Sequence, residues 1–199
     1  MKATELAIAG AWMFEPQVFP DSRGRFAAPY RADAFRDALG FDLHVAQVNQ
    51  SRSARGVIRG VHFADLPPGQ AKYVYCTGGA LLDVIIDIRI GSPTYGLFEA
   101  VELDAVTSRA VYLAEGLGHA FVALDDDTAM TYLCSTRYRP EAEHGLHPLD
   151  PELDLPWPTV ITPILSDKDA AAPPLAQARA DGLLPTWDAC QAHYADLLT

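Results

Sequence analysis

The sequence predicts an all-β fold with a few flanking helices, and two observations carry the prediction. Residues 45–133 form a series of short apolar runs separated by turn residues, a spacing typical of a sandwich or barrel. Helix signals are confined to the flanks, at 32–38 and in two late segments near 174–181 and 187–198. The 199-residue length fits a single domain that buries a sizeable core.

The clearest predicted strand is 80–90, which is rich in Val and Ile. Aliphatic residues occupy every even position of this run, whereas Asp83, Asp87 and Arg89 stand at odd positions. Because side chains alternate along a strand, one face is apolar and the other carries the charges. For Asp87 and Arg89, a structural ion-pair network and a functional role are both open.

The other elements follow from shorter runs bounded by Gly, Pro, Asp and Ser. The remaining predicted strands are 45–49, 56–63, 72–76, 99–103, 110–113, 118–123 and 130–138. The Pro-rich stretch 148–163 is predicted to be a loop that packs over the sheets. We therefore expect one domain over 1–199, with a core at about 19–169 and a C-terminal helical extension at about 170–199.

Composition and charge exclude several classes of protein. The formal net charge of −11 argues against nucleic-acid binding, although a single diphosphate needs only a few local cationic side chains. Three widely spaced cysteines suit reduced thiols better than a disulfide framework. The apolar run 6–14 lacks a signal-peptide cleavage pattern, and no run approaches the ~20 residues that cross a bilayer. We expect a cytoplasmic protein with neither nucleic-acid nor membrane partners.

Polar residues interrupt the predicted strands at a few positions. Arg59 and His62 lie in a glycine-flanked apolar run, and Lys72 opens another. A lysine is almost never fully buried without a partner. His119 stands in a third such run, and Tyr132 in the next. Individually these signals are weak, because a histidine in a strand is more often a satisfied core residue than a catalyst.

Metal binding is disfavoured by the histidine spacing. Metal sites in small β-barrels usually take two histidines two residues apart on one strand, with a carboxylate and a third histidine. His62 has no histidine partner at position 64, and His119 also stands alone. We expect no metal and no other cofactor.

The order and spacing of these segments closely resemble the dTDP-4-dehydrorhamnose 3,5-epimerase family, in which dTDP is deoxythymidine diphosphate. The resemblance runs from about Phe19 to Asp169 and includes antibiotic deoxysugar pathway members. The matching segments are 19–26, 47–51, 56–63, 70–72, 83–89, 91–94, 118–121, Tyr132, Tyr138, Glu143, 150–151, 157–158 and 165–169. The resemblance implies a metal-free, cupin-like jelly-roll β-barrel that pairs as a homodimer.

The resemblance also implies an activity, the epimerisation of a dTDP-4-keto-6-deoxy sugar at C3, C5 or both. His62 resembles the family's base and Asp169 its partner, while Lys72 resembles the cation near the ketone oxygen. Tyr132 resembles the acid that returns a proton to the opposite face. Two further positions, Asp83 and His119, match residues that line the same cavity.

Substrate binding is assigned by the same resemblance. Diphosphate contacts fall to cationic residues, of which Arg23 is expected to act across the dimer on the neighbour's substrate. Hydrogen-bond partners and one aromatic wall complete the site. The predicted binding residues are Arg23, Phe26, Gln47, Asn49, Arg59, Tyr138, Glu143 and Lys168.

Two departures from the family pattern are visible, Ala114 where many members have Pro and Ala120 where many have Gly. The second is expected to place a methyl group near the substrate cavity. Two alternative functions stay open, a cupin-type dTDP-sugar 3,4-ketoisomerase and a non-catalytic nucleotide-sugar-binding barrel. The presence of His62, Asp169 and Tyr132 together favours the epimerase over both.

Overall fold

The computed structural model describes residues 1–198. Its strands are β1 (Lys2–Glu5), β2 (Ala11–Glu15), β3 (Val18–Asp21), β4 (Gly24–Ala27), β5 (Gln47–Ser53), β6 (Ile58–Ala64), β7 (Lys72–Gly78), β8 (Ala80–Ile86), β9 (Phe98–Asp104), β10 (Ala110–Leu113), β11 (Gly118–Ala123), β12 (Thr128–Cys134) and β13 (Glu143–Gly145). Its α-helices are α1 (Ala32–Leu39), α2 (Asp167–Ala170), α3 (Leu175–Ala180) and α4 (Trp187–Leu197), and a 3₁₀ turn spans Pro140–Ala142.

Two antiparallel sheets face each other, as in cupin-like folds. One has the strand order β1-β2-β10-β7-β12-β5 and the other β13-β6-β11-β8-β9, while β3 and β4 form a separate hairpin. An apolar core that includes Leu81, Ile85, Leu103 and Phe121 fills the space between the two sheets. Period-two alternation aims these side chains inward, because each strand buries one face in this space.

The outer face of each sheet is covered as well. Phe35 of α1 packs with Phe14 and Tyr73 on the six-stranded sheet. On the five-stranded sheet, the C-terminal segment covers Val84 and Ile86 with side chains such as Leu175. The centre of the five-stranded sheet is therefore buried on both faces, which explains why β8 and β11 are nearly continuous apolar runs.

The predicted all-β class with flanking helices is confirmed. All eight predicted strands in 45–138 exist, those at 110–113 and 118–123 with the predicted bounds and the others with shifted ends. The strand predicted at 80–90 was wrong in its second half, because β8 ends at Ile86. After the end of β8, the backbone N–H of Asp87 donates a hydrogen bond to the carbonyl of Leu97, in the loop before β9. Ile88 follows the apolar pattern because it is buried under the C-terminal segment.

Five of the strands were not predicted from the sequence. The four strands before α1 are only four or five residues long, and β13 has three. Two of them also pair with strands that are distant in the chain, β2 with β10 and β13 with β6. The Pro-rich 148–163 segment is a loop, as predicted, and its Leu153 packs onto the five-stranded sheet. Among the described residues, no helix has the length and apolar character to cross a membrane.

Candidate active site

A cavity of about 230 Å³ opens beside the apolar core, between the two sheets. It receives side chains from β5, β6, β7, β12 and β13, and from the segments that precede β7 and follow β12. Each lining side chain carries a polar or ionisable group. The lining residues are Asn49, Gln50, Ser51, Arg59, His62, Gln70, Lys72, Tyr132, Cys134, Tyr138 and Glu143.

His62 forms a partly buried hydrogen bond with Asp169. Its ring Nε2 lies 2.8 Å from Oδ1 of Asp169, and the carboxylate is almost fully buried while the imidazole stays one-third exposed. A carboxylate accepts only, so Nε2–H donates and Nδ1 is left as the unprotonated nitrogen. Within residues 1–198, no hydrogen bond occupies Nδ1. The imidazole is therefore oriented as a base facing the cavity.

The segment before α2 brings Asp169 to β6. Ile58 donates its backbone N–H to Ile164 at 3.0 Å, and Ile164 donates in return to Gly56 at 2.9 Å. Ser166 then caps α2 by accepting the N–H of Asp169 at 3.1 Å. Burial tends to raise the pKa of Asp169, but hydrogen bonds from His62, Ser166 and a backbone N–H hold it below its ordinary value.

A β-bulge lets Arg59 and His62 share the cavity. Three residues apart on a regular strand, they would point to opposite faces. On β11, His119 pairs with His62 and Phe121 pairs with Arg59, so β6 has one residue more than its partner here. Gly60 lies in this bulge with φ +111°, and a Cβ there would approach the carbonyl oxygen of His119 to 2.4 Å. Glycine is required at this position.

Lys72 opens β7 with its side chain inside the fold. Its ammonium is buried, which lowers its pKa, while Glu143, Cys134 and Asp83 oppose that effect. Ser135 fixes the backbone at the start of β7. Its Oγ accepts the N–H of Ala71 at 2.8 Å and donates to the buried Glu115 at 3.1 Å. The fixed start of β7 places the Lys72 cation at the cavity wall.

Tyr132 enters the cavity from the six-stranded sheet, whereas His62 enters it from the five-stranded sheet. It lies on β12, and its hydroxyl is 3.0 Å from the hydroxyl of Ser51 on β5. Burial raises the pKa of Tyr132, and the Ser51 hydrogen bond and the Arg59 charge partly offset this rise. The phenol therefore keeps its proton at neutral and mildly alkaline pH.

A second histidine–carboxylate pair lies deeper. Nε2 of His119 is 2.7 Å from Oδ1 of Asp83, and both side chains are buried. The His119 ring meets the Tyr132 ring edge-on at 6.2 Å between centroids. Neither residue of the pair is among the cavity-lining residues. The predicted pair thus lies behind the cavity wall and supports the Tyr132 ring.

The strand β5 presents alternating polar side chains to the site. Gln47 donates to Asn49 at 2.6 Å and accepts the backbone N–H of Tyr138 at 3.0 Å. Ser53 accepts from Nε of Arg59 at 3.1 Å. These bonds fix the half-exposed Tyr138 at the cavity mouth and aim the guanidinium of Arg59.

Three predicted binding residues lie away from this cavity in their own chain. Arg23 and Phe26 belong to the exposed β3–β4 hairpin, where Arg23 pairs with Asp21 at 2.6 Å. Lys168 is exposed on α2, next to Asp169. Their binding roles stay predictions.

One other prediction is contradicted by the geometry. The methyl group of Ala120 was expected near the cavity, and this was wrong. Ala120 packs with Val61 and Val84 on the outer face of the five-stranded sheet, opposite to its neighbour His119. Across residues 1–198, no three His, Cys, Asp or Glu side chains are arranged to hold a metal ion.

Asp87 and Arg89 form a structural pair that lies outside the cavity. Both are completely buried, and two guanidinium hydrogen bonds of 2.8 and 2.7 Å join them. Ser92 and Thr94 also donate to Asp87, each at 2.6 Å. The guanidinium lies 4.6 Å from the ring of Trp187 and bonds to Tyr194, so the pair anchors α4.

Comparison with known proteins decides the family. The sequence model of the dTDP-4-dehydrorhamnose 3,5-epimerase family matches residues 5–177. The chain belongs to this family. The dTDP-4-dehydrorhamnose 3-epimerase of Streptomyces niveus is 53% identical over 96% of this chain and 92% of its own length. The dTDP-4-dehydrorhamnose 3,5-epimerase of Mycolicibacterium smegmatis is also 53% identical, over 96% of this chain and 94% of its own.

A solved member of the epimerase family has nearly the same structure. It is a double mutant, with one histidine changed to asparagine and one tyrosine to phenylalanine, of ChmJ, a 3′-monoepimerase from Streptomyces bikiniensis in complex with dTDP. It superposes with a TM-score of 0.95 and 49% identity, covering 98% of each chain. The resemblance predicted from the sequence segments is confirmed.

Four residues that line the cavity have no role predicted from the sequence, and these are Gln50, Ser51, Gln70 and Cys134. Ser51 has a detectable signal, because it continues the alternation Gln47, Asn49, Ser51 along a predicted polar run. Cys134 carries none. It pairs with Lys72 across the sheet, which sequence alone does not reveal.

Proposed function

We propose that this chain inverts C3 of dTDP-4-keto-6-deoxyglucose by moving protons beside the C4 ketone. One observation carries the proposal: His62 on β6 and Tyr132 on β12 line one cavity from opposite sheets. Inversion requires this arrangement, because the proton must return to the face opposite the one it left.

The relatives support the choice of C3. One is named a 3-epimerase and the other a 3,5-epimerase, so C3 is the centre that both names share. In the ChmJ double mutant, the changed histidine and tyrosine are separated by the same number of residues as His62 and Tyr132. This equal separation supports the paired roles of base and acid.

The first step breaks the C3–H bond. Nδ1 of His62 accepts the proton, and the electron pair of the bond moves into the enolate with its charge on O4. Asp169 holds the ring and stabilises the imidazolium that forms. The ammonium of Lys72 stabilises the negative charge on O4.

The second step forms a C3–H bond on the other face. The Tyr132 O–H bond breaks, its proton goes to C3, and the enolate electrons re-form the ketone. The phenolate and the imidazolium are left, and exchange with solvent resets both. Only protons move, so the mechanism includes no cofactor.

The nucleotide part of the substrate lies towards the cavity mouth. The cavity of about 230 Å³ is below the ~300–1,000 Å³ usual for a drug-sized ligand, so it suits the sugar rather than the whole nucleotide. Arg59 is aimed to pair with the diphosphate, and Tyr138 stands at the mouth. Asn49, Glu143 and Lys168 complete the proposed contacts.

A homodimer is part of the proposal. The β3–β4 hairpin exposes half or more of Phe19 and Phe26, a surface that suits burial against a second copy. Arg23 at its tip would then reach the neighbour's diphosphate. The free state of all three cysteines, within the described chain, supports the proposed cytoplasmic location.

Mixing two inactive variants tests the shared site. In a mixed dimer of Arg23→Ala and His62→Asn, one of the two sites keeps both native residues. Random exchange of subunits should restore about a quarter of the wild-type activity. If mixing restores nothing although mixed dimers form, Arg23 does not act across the dimer.

Stereochemical analysis tests the epimerisation itself. The protein is incubated with dTDP-4-keto-6-deoxyglucose, the ketone is reduced with borohydride, and the sugars are separated and compared with standards. The proposal expects products inverted at C3. A ketone found at C3 by NMR before the reduction would instead indicate a ketoisomerase, and unchanged sugar would contradict any catalysis on this substrate.

A further inference from the structure

Ser51 stands apart from the other polar residues of β5. The face shared by Gln47, Asn49, Ser51 and Ser53 lies towards the cavity, and Ser51 is the member whose hydroxyl contacts the proposed acid. Ser51 pairs with Met130 and Asn49 with Tyr132, so the two hydroxyls meet diagonally across the strands at 3.0 Å.

The Ser51 hydroxyl has no structural role in the fold. In the part of the chain that the structure describes, Tyr132 is its one hydrogen-bond partner, and it caps no helix and closes no turn. The backbone ladder between β5 and β12 holds this strand without it. Removing the hydroxyl should therefore leave the fold intact.

The surroundings of Tyr132 oppose its ionisation. Burial is the largest cause of its raised pKa, and Asp83 and Cys134 act in the same direction. Ser51 and Arg59 act in the opposite direction. A phenol that must release a proton in each turnover depends on these two groups.

We propose that Ser51 is a positioning residue for the acid: its hydroxyl fixes the oxygen of Tyr132 opposite His62 and donates to the phenolate once the proton has gone to carbon. This inference rests on the proposed function and extends it. In the resting state either hydroxyl can donate. After proton transfer, only Ser51 has a proton to donate, so the bond becomes charge-assisted and stronger.

Loss of the Ser51 hydroxyl should affect one step of the reaction more than the other. Proton removal by His62 does not use Tyr132, whereas proton delivery to the opposite face does. Loss of the Ser51 hydroxyl should slow inversion more than exchange. A hydrogen bond to a charged group corresponds to a change of about ten- to hundredfold in rate.

The experiment compares Ser51→Ala with Ser51→Thr in heavy water. For each variant, the rate of deuterium entry at C3 with retained configuration is divided by the rate of inversion at C3. We expect this ratio to rise about ten- to hundredfold in Ser51→Ala and to return close to the wild-type value in Ser51→Thr, which keeps the hydroxyl.

Ser108→Ala is the matched control, because it makes the same change in the loop between β9 and β10, outside the cavity lining. It should leave both dTDP binding and the ratio unchanged. If Ser51→Ala does not fold, Ser51→Cys, whose thiol is a weak donor, replaces it and should give an intermediate ratio.

The outcomes separate the two claims. Wild-type exchange and inversion with an unchanged ratio in Ser51→Ala would overturn the role of Ser51 and leave the epimerase function standing. A raised ratio that Thr does not restore would also overturn it. Absence of both exchange and inversion in the wild type would overturn the proposed function and the Ser51 role together.

Discussion

Nε2 of His62 and Oδ1 of Asp169 lie 2.8 Å apart although 107 residues separate them in the chain. The bond joins a strand of the five-stranded sheet to a four-residue helix, and the carboxylate is buried while the imidazole faces the cavity. It fixes which ring nitrogen is free to accept a proton. The proposed chemistry depends on this geometry.

Replacing His62 with asparagine should abolish proton exchange. Asparagine keeps a polar group near Asp169 but is no base, and general base catalysis contributes roughly 10²–10⁴-fold. Deuterium incorporation at C3 and C5, followed by proton NMR, measures the loss. Calorimetric titration with dTDP is the control and should give an affinity close to wild type. Retained exchange would mean that another residue is the base.

Replacing Tyr132 with phenylalanine should separate two steps that the wild type performs together. His62 can still remove the proton, so deuterium should still enter with retained configuration, but inversion should fall by roughly 10²-fold or more. Exchange and inversion are measured on the same sample. Equal loss of both would show that the acid role is wrong.

Replacing Arg59 with alanine should weaken dTDP binding by about 1.5–3 kcal/mol, the value of a hydrogen bond to a charged group. Arg52→Ala is the matched control, since Arg52 is an exposed arginine on β5 that lies outside the cavity lining. Calorimetry should find its affinity unchanged. Equal weakening in both variants would mean a general effect of surface charge.

The alkaline limb of the pH–rate profile should belong to Lys72. Burial lowers its pKa below the ordinary value of 10.5, whereas burial raises that of Tyr132 above 10.0. As pH rises, Lys72 loses its charge first and the enolate loses its stabilising cation. In Lys72→Arg, which stays charged, the limb should move to higher pH. An unmoved limb, with circular dichroism unchanged across the range, would contradict this assignment.

Asp87→Asn should destabilise the fold by about 3 kcal/mol at neutral pH, because it leaves the buried Arg89 unpaired. Burial tends to raise the pKa of Asp87, but bonds from Arg89, Ser92 and Thr94 hold it below 3.8. The stabilisation is thus complete above about pH 4 and is lost as pH falls through the folded-state value.

Urea unfolding measured at several pH values tests this prediction. The variant should lose part of the acid dependence that the wild type shows. Asp42→Asn is the control, because the Asp42–Arg36 pair is exposed and should contribute no measurable stability. A wild-type-like unfolding free energy in Asp87→Asn would contradict the anchoring role.

Much of the site was predictable because its residues break apolar patterns. Lys72 opens a strand that is otherwise buried, and His119 interrupts another. The family resemblance then supplied roles that the pattern alone did not. The all-β class followed from the short apolar runs of 45–133, whose strands each bury at least one face.

The rest depended on contacts between distant segments. Strict alternation would separate Arg59 from His62, and only the bulge at Gly60 unites them. Alternation also predicted that Asp83 and Asp87 share one face of a strand, but β8 ends between them. Asp83 bonds to His119, whereas Asp87 bonds to Arg89. Such pairings are set by tertiary packing, which a local pattern does not encode.

Proton NMR of dTDP-4-keto-6-deoxyglucose incubated with the wild-type protein in heavy water tests the central claim most directly. We predict deuterium at C3, with any entry at C5 read from the same spectrum, and none at either carbon in His62→Asn. No deuterium at C3 or C5 in the wild type, with dTDP binding intact, would contradict the account and favour a non-catalytic binding protein.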